Sequence, residues 1–242
     1  MLNNEVSKLL NLWYDRNKRA LPFRLSRDPY KIWLSEVMLH QTQIVTMLPY
    51  YNKWIKKYPN IKSLIREPYD KVLKNWEGLG YYNRCLNFYN ALKIIEKKYH
   101  GEIPKNYDDF RNLPGVGDYT AAAVLSIAYN QKHVLIDGNV KRVLSRYLGI
   151  KTLSKYNLLR IKNQLQQLMF CSNPGKFNQS IMELGAILCR KYTPKCISCP
   201  LKSNCKAFIA DKVLEYPKVL TKRKKPVINF IGLIIVFKNQ IL

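Results

Sequence analysis

Acidic residues are scarce in this 242-residue chain, with 16 Asp and Glu against 41 Lys and Arg and a formal net charge of +25. An excess of that size repels itself in a compact state unless a polyanion neutralises it. Nucleic acid is therefore the first partner class implied and an anionic membrane surface the second. The abundance of Lys, Asn, Ile and Tyr is also what AT-rich codons produce, which lowers the weight of charge taken alone. No uninterrupted run of 18 apolar residues exists, so no segment is long enough to span a bilayer as a helix. Residues 1–8 lack the basic start and apolar run of a signal peptide, and Glu5 and Asp15 are out of place in a transit peptide. A cytoplasmic protein is expected.

Cysteine is also sparing. Six in a chain this long do not make the disulfide framework of a small secreted scaffold. Four of the six, Cys189, Cys196, Cys199 and Cys205, fall in one window, separated by six, two and five residues. Thiolates so close can wrap one soft metal centre, and the spacing leaves zinc and an iron–sulfur cluster both open. Cys85 and Cys171 stand alone and read as small buried residues.

The apolar periodicity is helical almost everywhere. One stripe is Tyr30, Trp33, Leu34, Val37 and Met38; another is Ile44, Met47, Leu48, Tyr51, Ile55 and Tyr58. Further stripes are Leu86, Tyr89, Leu92 and Ile95, then Val140, Val143, Leu144 and Tyr147, then Leu158, Ile161, Leu165 and Leu168. Short breakers at residues 66–68, 78–80, 114–117 and 137–138 separate them. The pattern predicts an all-α protein of roughly ten helices. After a basic linker at residues 221–226 comes a β-branched run at 227–237, too short for a membrane helix and readable as a buried strand with no neighbour before Leu242. The chain is expected to stop one strand into a further domain.

Three places carry possible chemistry. Leu113, Pro114, Gly115, Val116 and Gly117 make a tight turn into a helix, where glycines let a backbone approach closely and free N–H groups suit a phosphate oxygen. A plain helix–helix connection is the alternative, and the charge of the chain favours the phosphate. Asp137 precedes a helical stripe, as an N-cap does, and helix N–H groups would hold its carboxylate ready to stabilise a cation. Glu36 lies off its helix's apolar stripe. A solvated surface residue is one reading; a carboxyl desolvated among apolar neighbours, with a raised pKa and a role as general acid, is the other.

Leu21-Pro22-Phe23-Arg24, the Glu36 segment with His40, Gln41 and Thr42, Gly78-Leu79-Gly80-Tyr81-Tyr82, the hairpin at 113–120, Asp137-Gly138-Asn139-Val140-Lys141-Arg142 and the four cysteines occur in this order. Together they resemble the MutY-type adenine DNA glycosylases within the helix-hairpin-helix glycosylases, over about residues 5–210. The resemblance implies a six-helix barrel at 22–130 carrying the helix-hairpin-helix. It also implies a second helical domain, from 1–21 and 131–206, holding a [4Fe–4S] cluster on the four cysteines, followed by a linker at 207–226 and an incomplete domain at 227–242. It further implies a nucleoid-associated bacterial monomer acting on double-stranded DNA with a mispaired adenine, with no membrane partner. Related endonuclease III enzymes have a lysine where this chain has Tyr119. Tyrosine cannot form their Schiff base, so a monofunctional enzyme is expected. Glu36 would protonate adenine N7, Asp137 would stabilise the oxocarbenium-like sugar, and Tyr119 and Asn139 would position both. Arg24, Gln41, Thr42, Tyr82, Gly115, Gly117, Lys141 and Arg142 are the expected DNA contacts, with Gln41 and Tyr82 as wedges beside the opposing base. His40 stands where the family commonly has a second glutamine. A thymine–guanine mismatch glycosylase, an endonuclease III-like enzyme and an inactive DNA-binding descendant are the alternatives.

Overall fold

A computed structural model describes residues 3–169, 173–218, 236–237 and 240–241. Cys171, the linker at 221–226 and most of the run at 227–237 lie outside the described residues. Among the described residues the helices are α1 (Asn3–Asn17), α2 (Pro22–Leu25), α3 (Pro29–Leu39), α4 (Ile44–Lys57), α5 (Ile61–Ile65), α6 (Tyr69–Lys74) and α7 (Asn83–Tyr99). They continue as α8 (Tyr107–Arg111), α9 (Asp118–Tyr129), α10 (Gly138–Leu148), α11 (Lys155–Leu168), α12 (Pro174–Ile187) and α13 (Lys206–Ile209). The count exceeds the expected ten because α2, α5, α6, α8 and α13 have no more than six residues, too few to show a period of 3.6.

Polar caps written in the sequence start the longer helices. Asp28 accepts hydrogen bonds from the N–H groups of Tyr30 and Lys31 ahead of Pro29, Ser154 accepts from Asn157, and Asn173 from Lys176. Left-handed residues stop others: Asn130 (φ 57°) ends α9 and Gly149 (φ 68°) ends α10.

Two hydrophobic clusters result. The first is aromatic, built on Trp33, Trp54, Trp76, Phe88 and Phe110. The second is mainly aliphatic and joins Val6 and Leu10 of α1 to Leu144, Ile161, Leu165, Ile181 and Leu184. Helix α9 serves both, giving Val124 and Leu125 to the first and Ala123 to the second. Two details of the stripes change. Leu86 points outward, 37% exposed, and Cys85 and Phe88 take its place. Trp54 joins the α4 stripe.

Strand β1 (Val236–Phe237) pairs antiparallel with β2 (Gln240–Ile241), Val236 opposite Ile241. Val236 and Phe237, the end of the run, therefore have a strand neighbour before Leu242, where none was expected. No helix among the described residues is long and apolar enough to cross a membrane.

Candidate active site

Helix α3 is buried on every side, from Tyr30 and Ile32 to Met38. Glu36 is therefore not a surface residue: it is 5% exposed and faces a cavity of about 210 Å³ between the two clusters. The cavity is lined by Phe23, Arg24, Ser35 and Glu36 from one side and by Asp137, Asn139, Gln179 and Met182 from the other, with Tyr119 beside them. Tyr119, in the first turn of α9, donates its hydroxyl proton to Glu36 Oε2 at 2.8 Å. Burial pushes the Glu36 carboxyl up to about 7, against the opposing pull of the Tyr119 hydrogen bond and the Arg24 charge. Tyr119 is pushed up as well, by burial first and then by the Glu36 charge, so it stays a neutral donor.

Asp137 caps α10. Its Oδ1 accepts from the Val140 N–H at 2.6 Å and its Oδ2 from Asn139 Nδ2 at 3.0 Å. Asn139 in turn is held by Arg142, whose Nη2 donates to Asn139 Oδ1 at 2.8 Å. Arg142 was expected at the duplex, but its guanidinium turns inward and also donates to the carbonyls of Cys189 and Gly185, both at 2.8 Å. The cause is close packing: a side chain at Gly185 would meet Asn139 Cβ at 2.6 Å, so α12 lies directly against the start of α10.

Arg24 is likewise an internal residue. Its Nη1 lies 2.5 Å from Glu183 Oε2, and its side chain is 10% exposed. Glu183 has no exposed side-chain surface and also receives a fork from Arg19, Nε to Oε1 at 2.8 Å and Nη2 to Oε2 at 2.7 Å. Burial alone would raise the Glu183 carboxyl, but the Arg19 hydrogen bonds and the Arg24 charge hold it down to about 2. Sequence reasoning passed over Arg19, Glu183 and Gln179. Gln179 accepts from Tyr14 at 2.9 Å and carries α1 to the cavity wall.

The hairpin joins α8 to α9. Gly115 has φ 74°, and a side chain there would meet Asn87 Cβ at 2.8 Å; nothing comparable restricts Gly117. Arg111 fixes the turn by donating to the Val116 carbonyl at 2.8 Å and to Asp118 Oδ1 at 2.6 Å. Gln41, Tyr81 and Tyr82 line an open cavity of about 680 Å³ with His40 and Arg84. Tyr82 is exposed, not a core residue, and Tyr81 is more exposed still, at 60%. Thr42 accepts from Arg84 at 3.3 Å. Lys141 lines a separate groove with Lys191 and Tyr192 beside the start of α10.

Cys189, Cys196, Cys199 and Cys205 line one small pocket with Leu188, Phe208 and Arg146, whose Nη1 donates to Cys189 Sγ at 3.3 Å. Burial raises the thiols of Cys196, Cys199 and Cys205, that of Cys199 to about 12, and neighbouring thiols reinforce the shift. Among the described residues, no three or more His, Cys, Asp or Glu converge tightly enough to hold a metal ion.

Both the sequence and the fold have known counterparts. Residues 34–167 match the family model of the HhH-GPD superfamily base excision DNA repair proteins. An adenine DNA glycosylase of Buchnera aphidicola subsp. Baizongia pistaciae is 40% identical over 236 residues, covering 96% of this chain and 67% of its own. The Homo sapiens adenine DNA glycosylase is 39% identical over 206 residues, 81% of this chain and 38% of its own. A solved thermostable thymine-DNA glycosylase superposes with a TM-score of 0.78 at 27% identity, over 86% of this chain and 97% of that one. An endonuclease III–DNA complex shares the fold at a TM-score of 0.70 and 21% identity, over 87% of this chain and 98% of that one. The chain belongs to this superfamily and, within it, to the adenine DNA glycosylase family.

Proposed function

We propose that the chain is a monofunctional DNA glycosylase that hydrolyses the N-glycosidic bond of adenine mispaired with guanine or 8-oxoguanine. One observation carries the reading: a buried carboxyl poised near neutrality, hydrogen-bonded to Tyr119, shares a cavity of about 210 Å³ with the helix-capping Asp137. An adenine anion is a poor leaving group, and the sugar it leaves is a cation, so the reaction needs a proton donor on one side and a negative charge on the other. The target nucleotide first leaves the stack, at least cost in a mispair. Glu36 then protonates N7 as the glycosidic electrons pass to the base, and Asp137 stabilises the oxocarbenium-like sugar. Water adds to C1′ and loses its proton to Glu36, which restores the acid. Arg142 and Asn139 orient Asp137, and the Arg19–Glu183–Arg24 cluster walls the site. Tyr119 stands at the start of α9 and no lysine lines the cavity among the described residues, so excision without strand cleavage is expected.

DNA is the partner, held by its backbone at the Gly115 hairpin and by surface lysines, Lys141 among them. Affinity is expected to fall steeply with salt, as counterion release requires. Single-turnover release from duplexes carrying adenine opposite 8-oxoguanine, adenine opposite guanine and thymine opposite guanine tests the substrate. Faster thymine release would transfer the chain to the thymine–guanine reading.

The four cysteines fit a [4Fe–4S] cluster. They line one pocket that Arg146 approaches with a positive charge, and four thiolates are the ligand set that such a cluster takes. Cys189, Cys196, Cys199 and Cys205 would hold it, and it would tie residues 189–205 to one another beside Arg146 of α10. Cys199→Ser is expected to lose iron, the broad visible absorbance and most soluble protein. A colourless wild type with one zinc per chain, prepared anaerobically with ample iron, would refute the cluster.

A further inference from the structure

Arg84 sits in the first turn of α7, outside the catalytic cavity, and makes more hydrogen bonds than any catalytic side chain. Its Nη1 donates to the carbonyls of Val37 and Met38, each at 3.0 Å, and to that of His40. Its Nη2 donates to Thr42 Oγ1 at 3.3 Å and to the carbonyls of Leu79 and Gly80, each at 3.2 Å. The guanidinium also lies 5.4 Å from the ring centres of both Trp76 and Tyr81.

These contacts join two unrelated turns. The carbonyls of Val37 and Met38 belong to the last turn of α3, where partners are missing and a cation is favoured. Gln41 follows in the left-handed region at φ 61°. The second turn holds Gly78, Gly80 and Tyr81 at φ 94°, 69° and 49°. Positive φ at a glutamine and a tyrosine is unfavourable and persists only where surrounding contacts enforce it. Behind the guanidinium, Trp76 is fully buried, donates Nε1–H to the Gly80 carbonyl at 3.1 Å and packs on Trp54 at 5.6 Å. Tyr81 and Gln41 project outward from this base into one open cavity, and because Tyr81 is the more exposed tyrosine and the one that meets Arg84, the wedge expected at Tyr82 falls to Tyr81.

We propose that Arg84 is a positioning residue for base extrusion: it locks the Gln41 and Tyr81 turns to each other and to the aromatic core, making a rigid two-pronged wedge that fills the stack when the target nucleotide leaves. The inference rests on the glycosylase reading. A loose wedge would let the extruded base fall back, and displacement of about 1 Å costs on the order of 10²-fold in rate.

The test uses Arg84→Met, which retains the aliphatic stem and removes the fork, and Arg84→Lys, which retains the charge with one donor group. Extrusion is read from the fluorescence of 2-aminopurine placed opposite guanine, and excision from single-turnover adenine release. Arg84→Met is expected to lose most of the fluorescence rise and about 10- to 100-fold in excision, with duplex affinity within a few-fold and the pH midpoint of excision unchanged. Arg84→Lys should recover part of both; if Arg84→Met fails to fold, Arg84→Lys alone should show intermediate extrusion and excision. Full fluorescence with lost excision, or wild-type values for both, would overturn the proposal. Failure of the wild type to release adenine would instead defeat the glycosylase reading.

Discussion

Glu36→Gln is expected to lower adenine excision by about 10²–10⁴-fold, the contribution general acid–base catalysis typically makes, while duplex affinity stays within a few-fold. The same change should stabilise the protein in mild alkali. Burial raises the carboxyl from 4.5 to about 7. The folded chain thus holds a proton that the unfolded chain releases between those values. Stability from that proton is complete below about pH 4.5 and is lost as pH rises through 7. A shift of this size corresponds to about 3 kcal/mol. Glutamine stays neutral at every pH and can still accept from Tyr119, so urea unfolding at pH 8 should favour the variant over wild type by up to that amount. Wild-type excision should itself decline above about pH 7, as the acid deprotonates. Undiminished adenine release by the variant would end the assignment of Glu36.

Glu183→Ala should be the most destabilising single change near the site. It leaves Arg19 and Arg24 without the carboxylate that both share, and an abandoned charge of this kind costs about 3–5 kcal/mol. Because the carboxyl is held down to about 2, its contribution is complete above about pH 4.5 and is lost as pH falls toward 2. Wild type and variant should therefore converge in acid. Freed from Glu183, Arg24 would bear more strongly on Glu36 and lower its pKa, moving the decline of excision to lower pH. Equal urea midpoints at pH 7 would show that the buried pairing contributes little.

Much of the site is legible in the sequence because its pieces are local. Asp137 stands immediately before its own helix, the hairpin carries Gly115, and the four cysteines fall within one window. Burial of Glu36 was harder to see, since a helix packed on all sides shows no polar face from which to read its orientation. The pairing of Arg19 with Glu183 was invisible, for it spans 164 residues and follows no periodicity. The internal partners of Arg142 and Arg24 were hidden for the same reason. An arginine beside a motif looks like a phosphate contact until the packing of α12 shows where its guanidinium can go. The short helices went uncounted because a single turn carries no stripe.

Helix α1 has a practical bearing on how this protein is handled. Tyr14 reaches Gln179 in the cavity wall, Lys176 meets Asp15 at 2.6 Å, and Arg19, just past the helix end, holds Glu183. The segment that precedes α2 therefore supports the wall of the cavity. Expression designs that trim it to sharpen a domain border, or fuse a bulky tag against it, will register as weaker enzymes, and the loss will be mistaken for chemistry until the missing wall is restored.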